Sequence, residues 1–212
     1  MRFRYGSIPE DDEFHPEAQS WSDLREPGPL IINLLAIPTA ILLLAATGYA
    51  ISLAWPGGIL GIIQKVLEQS SMNPFLVSLV VIVISIPVHE LVHLLVHPKF
   101  GRSDKSILGL WLSRGMFYAH YEGAVSRNRF LSILAAPYLV LAWLPVIVIA
   151  IFGTSVPIEY VVILVLVALV NCALPAGDIL GIFLLVSQVP SSACEKNKGW
   201  KSYWKQGIPC EE

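Results

Sequence analysis

Four apolar segments, each long enough to cross a lipid bilayer as a helix, dominate the middle of this chain. Crossing about 30 Å of hydrocarbon takes roughly 20 apolar residues in an α-helix. The segments cover residues 30–54, 74–97, 130–152 and 157–186, and Pro175 predicts a break in the last one. Charged residues make up 14% of the chain, against about 25% in soluble domains. The sequence therefore predicts an all-α membrane protein with about four transmembrane helices and excludes a soluble globular enzyme.

The lysines and arginines predict the orientation of these segments. If the N-terminus is cytoplasmic, 13 of the 14 basic residues lie in cytoplasmic segments and only Lys65 lies outside. Such a bias is the signature of cytoplasmic loops. We therefore expect a multi-pass protein of the cell membrane with both termini in the cytoplasm. Its divisions are an acidic N-terminal segment (1–29), a transmembrane domain (30–187) and a cytoplasmic tail (188–212).

The one long cytoplasmic loop, residues 98–129, predicts a short β-hairpin. Residues 106–112 and 116–125 are rich in aromatic and branched side chains, with a turn sequence between them. On a strand, Tyr118, His120 and Glu122 would share one face. They could line an entry path, add a metal ligand, or simply form an amphipathic surface.

The composition of the C-terminal tail and the net charge indicate which binding partners to expect. Aromatic and basic residues alternate near Trp200, which favours either contact with lipid headgroups or an ordinary flexible tail. A net charge of −2 offers no basic surface for nucleic acid. Three scattered cysteines predict no disulfide framework. We expect the lipid bilayer as a partner and no nucleic acid.

The second segment contains His89-Glu90-Leu91-Val92-His93. On a helix, residues four apart share a face, so both imidazoles can reach one zinc ion at about 2.0–2.1 Å. Glu90 lies beside that face and can act as a general base. Ionisable groups inside a span cost roughly 2.5–3.5 kcal/mol each on insertion scales, and a metal would offset that cost. Alternatively, the histidines hydrogen-bond neighbouring helices or line a water cavity without metal.

Asp178 is the best candidate for a third ligand, because a catalytic zinc site wants three protein ligands and one open position. It follows the Pro175 interruption in the fourth segment. His89 and Asp178 each lie eight residues before the cytoplasmic end of their segments, so both are about 12 Å below the surface. His97 lies about 12 Å from His89 along a continuous helix, and we interpret it as a helix-end interfacial residue. The alternative for Asp178 is a cap on the broken helix.

These two motifs together resemble a known family. His89-Glu90-x-x-His93, with Asn171 and Pro175-Ala176-Gly177-Asp178 on a later segment, is similar to the membrane proteins grouped as "Putative zincin peptidase" and, more distantly, to site-2 intramembrane metalloproteases. The resemblance covers roughly residues 74–186. It implies zinc bound by His89, His93 and Asp178, with Glu90 as the base and Asn171 binding the substrate backbone.

The function implied by the resemblance is zinc-dependent hydrolysis of peptide bonds within or beside the membrane, acting on a membrane protein or peptide. In the site-2 class, a β-segment near the site also offers an edge to an unwound substrate. The main alternative is a non-catalytic metal-binding membrane adaptor or transporter subunit. Glu90 argues against that alternative, since a structural zinc site prefers four closed ligands and needs no base. The third alternative is a metal-dependent hydrolase acting on lipid or another non-peptide bond, and the oligomeric state stays open.

Overall fold

The computed structural model describes residues 1–211, and the protein is mostly helical. The helices are Pro29–Ala54 (α1), Gly58–Gln69 (α2), Pro74–Val96 (α3), Arg127–Pro137 (α4), Leu144–Phe152 (α5), Ile158–Ala173 (α6) and Ala176–Gln188 (α7). A π-helical stretch, Tyr138–Trp143, joins α4 to α5. The strands are Arg2–Tyr5 (β1), Ser22–Asp23 (β2), Ser106–Trp111 (β3), Met116–Tyr121 (β4), Val125–Ser126 (β5), Ala193–Lys198 (β6) and Lys201–Gln206 (β7). The fold therefore contains more β-structure than the single hairpin that the sequence predicts.

The helices that are long and apolar enough to cross a membrane match the predicted segments. Three of them qualify alone: Leu30–Ala54, Pro74–Val96 and Arg127–Ser155. The fourth is α6 with α7, which are bent by 46° at the break that Pro175 predicts. Only 6% of the most apolar stretch of α1 is buried within the protein. Its side chains therefore suit a lipid environment better than water.

Two small sheets carry the strands. The first has the order β1-β3-β4, with β1 parallel to β3 and β3 antiparallel to β4. The predicted hairpin is therefore confirmed, and Gly115 closes its turn at a φ of 60°. The second sheet has the order β2-β7-β6-β5. Strands from the two ends of the chain and from the long loop thus pair with one another.

The chain divides into two compact units. One unit contains both sheets and consists of Met1–Ile32, Glu90–Ala136 and the chain from Asp178 on. Its apolar core includes Leu24, Leu185 and Val189, with Trp204 packed against them. The other unit, Asn33–His89 with Pro137–Gly177, is helical, and its core includes Ile51, Trp55 and Val161. The predicted division into a membrane domain with two flanking segments stays a prediction.

The tail departs from the sequence-based expectation in two ways. It forms the β6–β7 hairpin, whose Trp200 ring lies 6.2 Å from that of Trp111, so it is not an unstructured extension. Cys194 and Cys210 are joined by a disulfide, although the scattered cysteines predict no disulfide framework. Counting cysteines could not detect the pair, because it depends on the hairpin bringing positions 16 residues apart to a Cα separation of 5.5 Å.

Candidate metal centre

Helix α3 brings three donor side chains together because of its own geometry. His89, Glu90 and His93 each offer a ligand atom, and these atoms all lie within 4.8 Å of one another. The two histidines are each 7% exposed. The i, i+4 spacing places both rings on one face of the helix, and Glu90 extends beside them. Among the described residues, this group could hold a metal ion.

Two contacts fix the ring of His93. Its Nδ1 lies 2.7 Å from the carbonyl oxygen of Ile133 in α4. Because a carbonyl only accepts hydrogen bonds, Nδ1 must carry the proton in this contact. The other ring nitrogen, Nε2, lies 3.4 Å from Oδ2 of Asp178. The second ring nitrogen of His93 therefore faces a carboxylate.

Asp178 lies in the first turn of α7, just after the break in the fourth span. A carboxylate is favoured there because the N-terminal end of a helix carries partial positive charge. The structure thus brings Asp178 to His93, as the sequence analysis expects. The role of Asp178 as a metal ligand stays a prediction.

Glu90 contacts the edge of the first sheet. Its Oε2 accepts a hydrogen bond of 2.8 Å from the backbone N–H of Ala119 in β4. Strand β4 is the outer strand, paired on its other side with β3. Since N–H groups alternate along a strand, those of Phe117 and Tyr121 point to the same open side as that of Ala119. The candidate base therefore lies against an edge of β4 that no other strand pairs with among the described residues.

His97 directly follows the last residue of α3 and is not a member of the donor group. It is 3% exposed, and its ring centroid lies 5.4 Å from that of Tyr121. The Tyr121 hydroxyl donates a hydrogen bond of 2.8 Å to Glu211. Burial, with the carboxylate of Glu211, raises the pKa of Tyr121 to about 12. His97 thus lies at the end of the helix, as expected, and its ring packs against Tyr121 of β4.

Two hairpin residues, Tyr118 and Glu122, contact the N-terminal segment, and a third, His120, is buried. Tyr118 donates a hydrogen bond of 3.0 Å to the carbonyl of Ser7, and Glu122 forms an ion pair with Arg2. His120 is 6% exposed, and burial together with nearby arginines lowers its pKa to about 4. These contacts favour a structural role for the three residues over an entry path.

Asn171 lies in α6, where it is 1% exposed. Its side-chain Nδ2 donates to Oγ of Ser85 and to the carbonyl of Val167, both at 2.9 Å. Ser85 lies one turn before His89 in α3. The geometry therefore supports a role in joining α6 to α3, and the substrate-binding role of Asn171 stays a prediction.

Sequence reasoning missed the two backbone groups of this site. The carbonyl of Ile133 and the N–H of Ala119 contact His93 and Glu90, respectively. Backbone groups are common to nearly all residue types, so no residue pattern identifies them. Only the fold of the 106–137 region brings them to α3.

Together, the fold and this group define a class: a mostly helical protein with span-length apolar helices and a His-Glu-His cluster that could hold a metal ion. The family model described as "Putative zincin peptidase" matches residues 82–194, just over half of the chain. The chain belongs to this family. No curated protein and no solved structure matches it. Membership suggests metallopeptidase activity and implies zinc as the metal.

Proposed function

We propose that this protein is a zinc-dependent peptidase that hydrolyses peptide bonds within or beside a membrane. The single observation that carries the proposal is the approach of Asp178 to His93, beside a group of donor atoms within 4.8 Å of one another. Family membership supports the same chemistry. His89, His93 and Asp178 would hold the zinc, and Glu90 would act as the base.

The spacing between His93 and Asp178 fits two ligands of one ion. Ligands of a tetrahedral zinc at about 2.0–2.2 Å are roughly 3.3–3.6 Å apart, because the edge of a tetrahedron is about 1.63 times its centre-to-corner length. The observed Nε2 to Oδ2 distance is 3.4 Å. A charge-assisted hydrogen bond would be shorter, at about 2.7–2.9 Å. The separation therefore has room for a shared cation between the two side chains.

The chain's own groups divide the chemistry between them. Bound zinc would supply Lewis acidity, lowering the pKa of water to about 7 and polarising a carbonyl. Glu90 would take the proton of the attacking water at a carboxylate oxygen and pass it to the leaving amine. The hydrogen bond from Ala119 to Glu90 holds that carboxylate in position.

The open edge of β4 supplies a way to hold a substrate. An extended peptide added to this edge would pair with the N–H groups of Phe117 and Tyr121, on either side of the N–H that Glu90 occupies. Its backbone would then pass the carboxylate of Glu90, which already contacts that edge. A helical membrane substrate would have to unwind locally first, because a helix occupies its own backbone groups.

Strand pairing supports four membrane crossings. Strands β1 and β3 pair across α1–α3, and β5 and β6 pair across α4–α7. Paired strands must lie on one side of the membrane, so each intervening stretch crosses it an even number of times. If Arg127–Ser155 crosses, α6 and α7 must cross together as one broken span.

The charge bias supports a cytoplasmic location for both termini. Disulfides persist mainly in oxidising compartments, so this orientation requires Cys194 and Cys210 to be reduced in the cell. Reporter fusions after residue 211 and within α2 would test it. A reporter at the tail that is active in the periplasm or lumen would overturn the cytoplasmic assignment. It would not affect the inference that the chain crosses the membrane an even number of times between paired strands.

The activity is tested with Glu90→Gln in the purified full chain. This change keeps the size of the side chain but removes the base, so peptide hydrolysis should fall by about 10²–10⁴-fold while metal content is unchanged. Glu68→Gln, on α2, is the matched control and should keep full activity. Unchanged processing in Glu90→Gln would contradict the peptidase proposal and favour a non-catalytic metal-binding protein.

A further inference from the structure

The helix that contacts His93 contains a proline at an informative position. Pro137 ends α4 and has helical dihedral angles, φ −60° and ψ −41°. In an α-helix, the N–H of residue 137 would donate to the carbonyl of residue 133. Proline has no N–H, and its ring also clashes with the carbonyl four residues earlier. The usual helical partner of the Ile133 carbonyl is therefore missing.

That same carbonyl is the one that contacts His93. Its oxygen lies 2.7 Å from Nδ1 of His93. His93 is 7% exposed and Pro137 is less than 2% exposed, so water competes little for this contact. The Ile133 carbonyl thus lacks its helical N–H donor at the position where the buried imidazole of His93 needs a hydrogen-bond acceptor.

We propose that Pro137 is a positioning residue for the metal centre, acting through the Ile133 carbonyl. By leaving that carbonyl without its helical donor, Pro137 keeps it available to the Nδ1 proton of His93 and so directs Nε2 toward Asp178. Backbone carbonyls that accept from the second nitrogen of a ligand histidine fix its tautomer and ring orientation. This inference rests on the proposed function, since it assumes that His93 binds the metal.

The test compares two substitutions at residue 137 in the full chain. Pro137→Ala and Pro137→Val both restore the backbone N–H, but valine retains nearly all of the side-chain volume and alanine does not. Both should weaken metal affinity by about 10-fold or more, the usual effect of losing such a contact. Cobalt(II) titration gives the affinity and, from the visible spectrum, the ligand geometry.

Pro145→Ala is the matched control, because it restores an N–H in the same span but away from His93. It should leave cobalt affinity and spectrum unchanged. Equal affinities for wild type and both Pro137 variants would overturn the inference. So would a loss that appears in Pro137→Ala and not in Pro137→Val, since packing would then be the cause.

A further pair of variants separates this inference from the proposed function. His93→Ala and Asp178→Ala should abolish the cobalt spectrum if the metal centre is correct. If they retain it, the proposed centre itself fails. If they lose it while both Pro137 variants behave as wild type, only the role of Pro137 fails.

Discussion

Helix α3 and strand β6 both bury ionisable side chains, but they surround them differently. In α3, the donor atoms of His89, Glu90 and His93 lie within 4.8 Å of one another. In β6, Glu195 is 1% exposed, and among the described residues neither of its carboxylate oxygens has a hydrogen-bond partner. Clustered donors suit a shared cation, whereas an isolated buried carboxyl mainly costs stability.

This difference predicts opposite consequences for substitutions in the two regions. Changes among the α3 donors should remove metal and activity with little loss of stability, because active-site groups are often destabilising where they lie. Changes in the sheet region should alter stability and leave the metal in place. Each of the following experiments can break that contrast.

The largest expected effect separates His93 from His97. Both are buried histidines near the end of α3, 7% and 3% exposed. His93→Ala should lose metal affinity by orders of magnitude, because it removes one of three proposed ligands. His97→Ala is the control and should keep stoichiometric zinc in elemental analysis of purified protein. Loss of zinc in His97→Ala alone would place the ligand set elsewhere on the helix.

The next effect concerns the disulfide of the second sheet. Replacing Cys194 and Cys210 with serine opens a loop with a sequence separation of 16. The free energy of unfolding should fall by about 2–4 kcal/mol, since the unfolded chain gains freedom. Chemical unfolding followed by tryptophan fluorescence measures it, and reduced wild type should match the double variant. A simultaneous loss of zinc would contradict the separation between sheet stability and metal binding.

Local patterns predicted the donors of α3 well. His89, Glu90 and His93 follow from helical spacing, and the break before Asp178 follows from Pro175. The β3–β4 hairpin was also predictable from sequence, because only four residues, 112–115, separate its two strands. Each of these signals lies within a short stretch of sequence.

The pairing of the chain ends was not predictable in the same way. Strand β1 pairs with β3 about a hundred residues later, and β2 pairs with β7 near the other terminus. Such pairings depend on packing between distant segments. The β-propensity of a segment indicates that it forms a strand, but not which other strand it pairs with. The contacts of Tyr118 and Glu122 with the N-terminal segment, and the disulfide, follow from these pairings and were missed with them.

The smallest expected effect is a change in stability on substitution of Glu195, whose carboxyl is buried and isolated. Burial, and secondarily the negative charge of Glu26, raise the pKa of Glu195 well above its ordinary value of 4.5. The folded state therefore favours the protonated form. Protonated Glu195 therefore contributes to the stability of the folded state. This contribution is complete below about pH 4.5, and it is lost as the pH rises through the pKa of Glu195 in the folded state.

Glu195→Gln should accordingly raise the free energy of unfolding at pH 7 by about 1–2 kcal/mol, because it removes the cost of a buried charge. The gain should shrink toward zero near pH 4, where wild-type Glu195 is already neutral. Thermal unfolding in detergent across this pH range measures the difference, with the exposed Glu17→Gln as control. A gain that is independent of pH would mean that glutamine packs better, not that an isolated charge was removed. A loss at pH 7 would mean that Glu195 is a paired, stabilising carboxylate, and the contrast with α3 would disappear.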